Sequence, residues 1–319
     1  MKKVKLYAEA KEVTIREGFE NFIEAKIALN RSPETIKFYQ ARFSVFLDFV
    51  ENEKKKTLTS ELTDIDVNQY IIYRRKKNPA ISNITINTEL RSIRAVLYYF
   101  MNRGNLAHFK IPLITTKKPI KDGYTEEEQE LLIKKPDLKK CTFPEYRNWV
   151  IVCHLLASGN RSRTVRGIKN KHVDLKNRVI LLDEVKNNQS YEIPISNEYL
   201  PILREYMSHR KGDPDDYLFC NQFGRQLSAD GLKVVMRKYN LAHGVDKTSV
   251  HKFRHTFAKN WILEGGSAKK LQSALGHSNP TMVDEYLSLY GRELRDDFGK
   301  YAPLSNLKGK LEKKKISLK

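Results

Sequence analysis

A chain of 319 residues with 58 lysines and arginines against 38 acidic residues carries a formal net charge of +20. An excess of this size points to a polyanionic partner, of which nucleic acid is the commonest. Hydrophobic residues at 40% are enough for two cores, whereas no apolar run is long enough to span a bilayer and the N-terminus MKKVKLYAEAKEV lacks the apolar centre of a secretory signal. Three scattered cysteines, Cys141, Cys153 and Cys220, make neither a disulfide framework nor a zinc cluster, as expected of a reduced cytoplasmic protein.

Residues 1–13 read as an N-terminal extension. TIRE at 14–17 is a capping box, and Phe19, Phe22, Ile23 and Ile27 follow at helical spacing. Ser32 and Pro33 open a second helix through Ile36, Tyr39, Phe43, Phe46 or Leu47, and Val50. A third is expected after Asp66, through Val67, Tyr70 and Ile71, and runs into the basic patch Arg74, Arg75, Lys76 and Lys77. A fourth carries Ile86, Leu90, Ile93, Leu97 and Phe100, with Gly104 as its C-cap. With no strand pattern among them, residues 14–110 read as a compact helical domain.

Residues 111–124, IPLITTKKPIKDGY, hold two prolines and three lysines, Lys117 and Lys118 among them, and read as an exposed basic linker. Thr125 and Glu128 cap the next helix, and RNWVIVCHLLASG at 147–159 is strongly apolar. The period then changes: residues 178–195 alternate around a polar centre, KNNQ, which predicts a hairpin with Lys186 at its turn. Helical patterns return from residue 196, and 304–319 form a basic tail. The expected fold class is mainly α with a small antiparallel β-sheet.

Six residues of the second domain make a coherent chemical set: Arg161 after SGN, Lys186, His251 and Arg254 in HKFRHTF, His277 in LGHSNP, and Tyr286 nine residues later. A phosphodiester under attack gains negative charge on its non-bridging oxygens, which two arginine forks match. The leaving oxygen needs a proton, and a tyrosine needs cations or a base to become a nucleophile. His251 and His255 stand four apart, as in a zinc-binding HExxH helix, but Lys252 and Arg254 would repel a dication. An anion site, with no metal, is the expectation. Each residue alone has a plainer reading. Arg161 with Arg163 and Arg166 could be a solvated basic patch, Lys186 an ordinary turn lysine, and His277 a buried structural histidine.

The order GNR, Lys, HKFRHTFA, LGHSNPTMVDEY resembles the tyrosine recombinase (phage integrase) family, over about residues 14–303. The resemblance implies a helical core-binding (SAM-like) domain, then a tyrosine-recombinase catalytic domain with the DNA breaking–rejoining fold at 125–303. Arg161 and Arg254 would clamp the scissile phosphate. Lys186 would protonate the leaving 5′-hydroxyl, His251 would assist proton transfer, His277 would hydrogen-bond the phosphate, and Tyr286 would form the 3′-phosphotyrosyl link. Tyr290 is assigned to packing and His255 to a structural role.

One position departs from the family: three residues after Arg161, where an acid is usual, stands Thr164. The implied function is site-specific recombination by a mobile-element integrase or transposase through a Holliday junction, with neither metal nor ATP as cofactor. A Xer-like resolvase and a non-cutting DNA-binding relative are the alternatives. The implied partner is duplex DNA with short inverted-repeat core sites, bound by a tetramer assembled from monomers, with an accessory DNA-bending or directionality factor and nucleoid association. Few residues precede the first helix, so no arm-binding domain is expected. Contacts to DNA are assigned to Arg74, Arg75, Lys76, Lys77, Lys117, Lys118, Arg163, Arg166 and Lys252.

Overall fold

The structure, a computed structural model, describes residues 12–116, 122–185, 189–276, 283–284 and 286–287. The chain divides into two compact units, Met1–Lys118 and Pro119–Lys319.

The first unit is helical. α1 (Ile15–Ala28) starts at a reciprocal Thr14/Glu17 capping box, and α2 (Pro33–Asp48) starts at Ser32 and passes into a single π-turn, Phe49–Glu53. α3 spans Asp64–Lys77 and α4 spans Asn83–Asn102, with Gly104 at φ +77° just beyond its end. α3 begins three residues earlier than the apolar pattern suggests. Asp66 is not its cap but its third residue, and accepts hydrogen bonds from the Thr63 amide and hydroxyl, both at 2.8 Å. α4 is the spine of this unit. Its apolar stripe (Ile86, Leu90, Ile93, Leu97, Phe100) is wholly buried against Phe22, Phe43, Phe46 and Tyr70. One buried ion pair crosses the core: Glu89, 1% exposed, accepts the Tyr70 hydroxyl at 2.9 Å and a two-pronged guanidinium from Arg74 at 2.9 and 2.8 Å.

The second unit surrounds α6 (Phe143–Ser158), which begins earlier than expected because Thr142 and Glu145 form its capping box. α5 (Glu126–Leu132) precedes it, and the short α7 (Ser162–Gly167) follows. The sheet has three antiparallel strands in the order β1 (Val173–Asp174), β2 (Val179–Val185) and β3 (Gln189–Pro194). Val179 pairs with Pro194 and Leu182 with Tyr191, and a bulge interrupts the register between Leu182 and Val185. α8 (Tyr199–Arg210) and α9 (Ala229–Ala242) pack on α6, as does α10 (Val250–Leu263). α11 (Ala268–Ala274) lies against α10 and β3.

The segment read as an exposed linker, 111–124, is anchored at both described ends. Ile111 is 2% exposed in the first core, and the Asn87 side chain bonds the Ile114 backbone twice at 2.8 Å. Tyr124 is buried in the second unit, its amide donating to the Thr256 hydroxyl at 2.8 Å. Residues 117–121 lie outside the described residues.

Removing one partner of a buried ion pair strands the other charge, at a cost of about 3–5 kcal/mol when both are fully buried. Arg74 keeps some contact with water, so Arg74→Ala is expected to cost about 2–3 kcal/mol. Denaturant titration followed by circular dichroism measures this; a loss under roughly 0.5 kcal/mol, the range of ordinary surface changes, would contradict it.

Candidate active site

The site is organised by two ends of helices and the guanidinium that joins them. α6 stops at Gly159, whose φ of +60° is left-handed; a Cβ there would stand 2.6 Å from the Phe257 ring and 2.9 Å from Leu275. α11 stops at Leu275 and Gly276, the latter at φ +59°. Arg254, one turn into α10 and 5% exposed, donates from Nη1 to the Gly159 carbonyl at 2.9 Å and from Nη2 to the Leu275 carbonyl at 2.8 Å. Arg161, exposed at the N-cap of α7, donates Nη1 to the carbonyls of Gly276 at 3.1 Å and Leu275 at 3.4 Å. Two guanidinium groups thus converge on one carbonyl. With Thr164 in the usual acidic position, Arg161 is held by backbone oxygens of the LG turn.

The GN turn itself rests on a buried histidine. His154, 0% exposed, bonds the Tyr199 hydroxyl from Nδ1 at 3.1 Å and the Asn160 side-chain amide from Nε2 at 3.2 Å. A neutral ring satisfies both, with Nδ1–H donating to Tyr199 and Nε2 accepting from Asn160. Protonation would set donor against donor in a dry site, and burial lowers the pKa to about 3. Ser158 completes the turn, donating to the His154 carbonyl at 2.6 Å and accepting from the Asn160 amide at 3.4 Å.

His251 is exposed one turn before Arg254 on α10. Partial desolvation, then the charges of Arg254, Arg161 and Lys233, lower its pKa below the ordinary histidine value, so it is neutral at pH 7. Tyr286 is 1% exposed, held with Ala258, Ile262, Leu271, Leu275 and Val283 in a cluster of its own. Its hydroxyl lies 2.6 Å from Nδ1 of His255. His255, read from the sequence as structural, therefore touches the hydroxyl of Tyr286; thirty-one positions separate them, and no spacing rule links them. Lys186, His277 and Tyr290 lie outside the described residues. Among the described residues, no group of three or more histidine, cysteine or acidic side chains is placed to hold a metal ion.

The basic residues assigned to DNA divide. Arg75, Lys76, Lys77 and Arg163 are exposed. Arg74 is instead half-buried, its guanidinium turned inward onto Glu89. Arg166 donates to the Leu227 carbonyl at 3.1 Å, and Lys252 to the Asp122 carbonyl at 3.2 Å. Lys117 and Lys118 lie outside the described residues.

The model of the phage integrase family matches residues 124–292, more than half of the chain. The chain belongs to that family. Among similar proteins is a tyrosine recombinase XerC of Staphylococcus aureus (strain JH9), 27% identical over 289 residues, which cover 88% of this chain and 94% of the relative. Similar solved structures include a Tn1549 transposon integrase in complex with circular intermediate DNA (22% identity, 89% of this chain and 99% of that one, TM-score 0.68). A lambda integrase dimer bound to a COC′ core site is also similar (13% identity, 97% and 81%, TM-score 0.68). These structural likenesses establish the integrase fold: a mainly helical chain with a small antiparallel sheet.

Burial of His154 makes stability depend on pH. Its native pKa of about 3 lies below the ordinary unfolded value of about 6.5, so the unfolded chain binds the proton first. Its contribution is full above pH ~6.5 and is lost as pH falls from there toward 3, at about 1.4 kcal/mol per unit. Both tryptophans, Trp149 and Trp261, lie in the second unit, so their fluorescence reports its unfolding. His154→Gln should be less stable at pH 7 and lose this slope between pH 6.5 and 5; an unchanged slope would contradict it.

Proposed function

We propose that this chain is a site-specific recombinase that cuts and rejoins duplex DNA through a 3′-phosphotyrosyl link on Tyr286, and that it serves integration and excision of a mobile element. The observation that carries the reading is the pair of guanidinium groups, Arg254 and Arg161, meeting at the Leu275 carbonyl, while the Leu275 side chain packs in the cluster that holds Tyr286. One turn thus joins the anion-binding groups to the nucleophile.

Arg161 is exposed and presents its guanidinium to an incoming phosphate. Arg254 sets the turn and adds positive charge from behind. Donors fixed before substrate arrives stabilise the developing oxyanion without reorganising. His251, neutral and exposed, hydrogen-bonds the phosphate or relays a proton. Lys186, between β2 and β3 in sequence, gives the leaving 5′-oxygen its proton, and His277 follows the LG turn as a further phosphate donor. In the step itself the Tyr286 oxygen bonds phosphorus as the bond to the 5′-oxygen breaks. The energy of the broken ester is retained in the phosphotyrosyl link, so rejoining by a 5′-hydroxyl needs no ATP. No metal enters this scheme.

Recognition of DNA would rest on phosphate contacts from exposed lysines and arginines, with affinity falling steeply with salt. Strand exchange between two inverted-repeat core sites would use four protomers and a Holliday junction, with a DNA-bending or directionality factor setting the outcome. The alternative is resolution of chromosome or plasmid dimers, which the XerC relative favours. Thr164 and the basic tail at 304–319 favour the mobile-element reading.

Covalent trapping tests both levels. Protein is incubated with fragmented source DNA and denatured, and the linked fragments are sequenced, with Tyr286→Phe and Tyr290→Phe in parallel. Adducts lost only in Tyr286→Phe, at the ends of one element, are expected. Adducts lost only in Tyr290→Phe would reassign the nucleophile, and adducts at a single chromosomal or plasmid dimer-resolution locus would favour the resolvase.

A further inference from the structure

The contact between His255 and Tyr286 has no part in the scheme above. His255 is half-buried, its Nδ1 lies 2.6 Å from a phenol that is itself 1% exposed, and the two rings stand 5.9 Å apart at 53°. A phenol this close to Nδ1 donates to it when the neutral imidazole carries its own proton on Nε2, and in a dry site such a bond is stronger than at the surface. His255 is also the next residue after Arg254 on the same turn of α10. The group facing the nucleophile's oxygen is therefore fixed to the same backbone as the guanidinium that sets the turn carrying Arg161.

We infer that His255 is the proton acceptor for Tyr286: Nδ1 takes the phenolic proton as the tyrosine oxygen attacks phosphorus, and returns it when the strand is rejoined. This rests on Tyr286 being the nucleophile. The step balances. The O–H bond of Tyr286 breaks and N–H forms on His255, the phenolic oxygen bonds phosphorus, and the bond from phosphorus to the 5′-oxygen breaks. The leaving oxygen takes its proton from a separate donor. Rejoining runs the same transfers backwards, and His255 ends neutral.

The charges around the pair support it. On α10 these are Lys252, Arg254 and Lys259, with His251 neutral; on packed α11, Lys269 and Lys270; on the facing turn, Arg161; and at the adjacent end of α6 His154 is neutral. Among the described residues, the anions here are Asp122, which interacts with Lys252 and Lys259, and Asp284, exposed two residues before Tyr286. A predominantly cationic setting favours the negative charge that grows on the phenolic oxygen. The proton still needs somewhere to go, and Nδ1 of His255 is already in contact. His251 is separated from it by one helical turn, which leaves His251 to the phosphate and the leaving group.

The test uses the full chain on the duplex recovered by covalent trapping, synthesised with a bridging 5′-sulfur at the cleaved position. The thiolate leaves without a proton, so the rate of adduct formation reports attack alone. The wild-type rate should rise with the neutral fraction of His255 and then level off. His255→Phe, which keeps an aromatic ring, should attack about 100-fold more slowly at pH 7. Its rate should then rise about tenfold per pH unit toward pH 9, because the phenol must ionise unaided. His255→Asn, which accepts a hydrogen bond but cannot take the proton, should behave the same way. A His255→Phe enzyme with the wild-type rate, or with a reduced rate and the wild-type pH profile, overturns the inference. Adducts that persist in Tyr286→Phe would overturn the assignment of the nucleophile instead.

Discussion

Everything at this site depends on one buried cation having somewhere to put its protons. Arg254 is nearly inaccessible to water, and an unpaired guanidinium there would be prohibitively unstable. It is satisfied by carbonyls from two helix ends, Gly159 at the close of α6 and Leu275 at the close of α11. Helix C-termini leave carbonyls without intrahelical partners, so the cation and the two ends answer each other's need. The consequence is geometric: Arg161 lies two residues beyond the first carbonyl and bonds the second, while the Leu275 side chain packs in the cluster that holds Tyr286.

The same economy governs charge elsewhere. A net charge of +20 does not make every arginine a ligand for phosphate. Arg74 belongs to Glu89 and Tyr70 in the first unit, and Lys247 holds Asp122 and Glu128 in the second unit. His154 goes further, as a titratable residue that must stay neutral to hold the turn carrying Asn160. Basic composition points to the class of partner, but the pairing of each side chain determines which cations remain for it.

Helix starts were legible where a side chain announces them. Thr14 with Glu17, Ser32 with Pro33 and Thr125 with Glu128 are local signals whose partners lie within three residues. The order of Arg161, His251, Arg254 and Tyr286 was legible through resemblance, since each sits in a recognisable short motif. Illegible features were those whose partner is distant. Glu89 lies fifteen residues from Arg74, Thr256 is 132 from Tyr124, and Tyr286 is 31 from His255. Ile111 and Tyr124 looked like linker residues because prolines and lysines surround them, yet each found a core to enter. β1 has two residues and α7 six, too short for any period to register. The start of α6 differs for another reason: Thr142 and Glu145 signal it locally, but the continuous apolar run begins only at Trp149.

Hydrogen–deuterium exchange shows most directly whether the Arg254 guanidinium binds the two helix ends into one site. In Arg254→Gln the amides of segments 159–167 and 271–276 should exchange faster together, while α4 and the β2–β3 pair stay as protected as before. Faster exchange in only one of the two segments, or in neither, would show that the ends are held independently, and the account of a site built around one buried cation would be wrong.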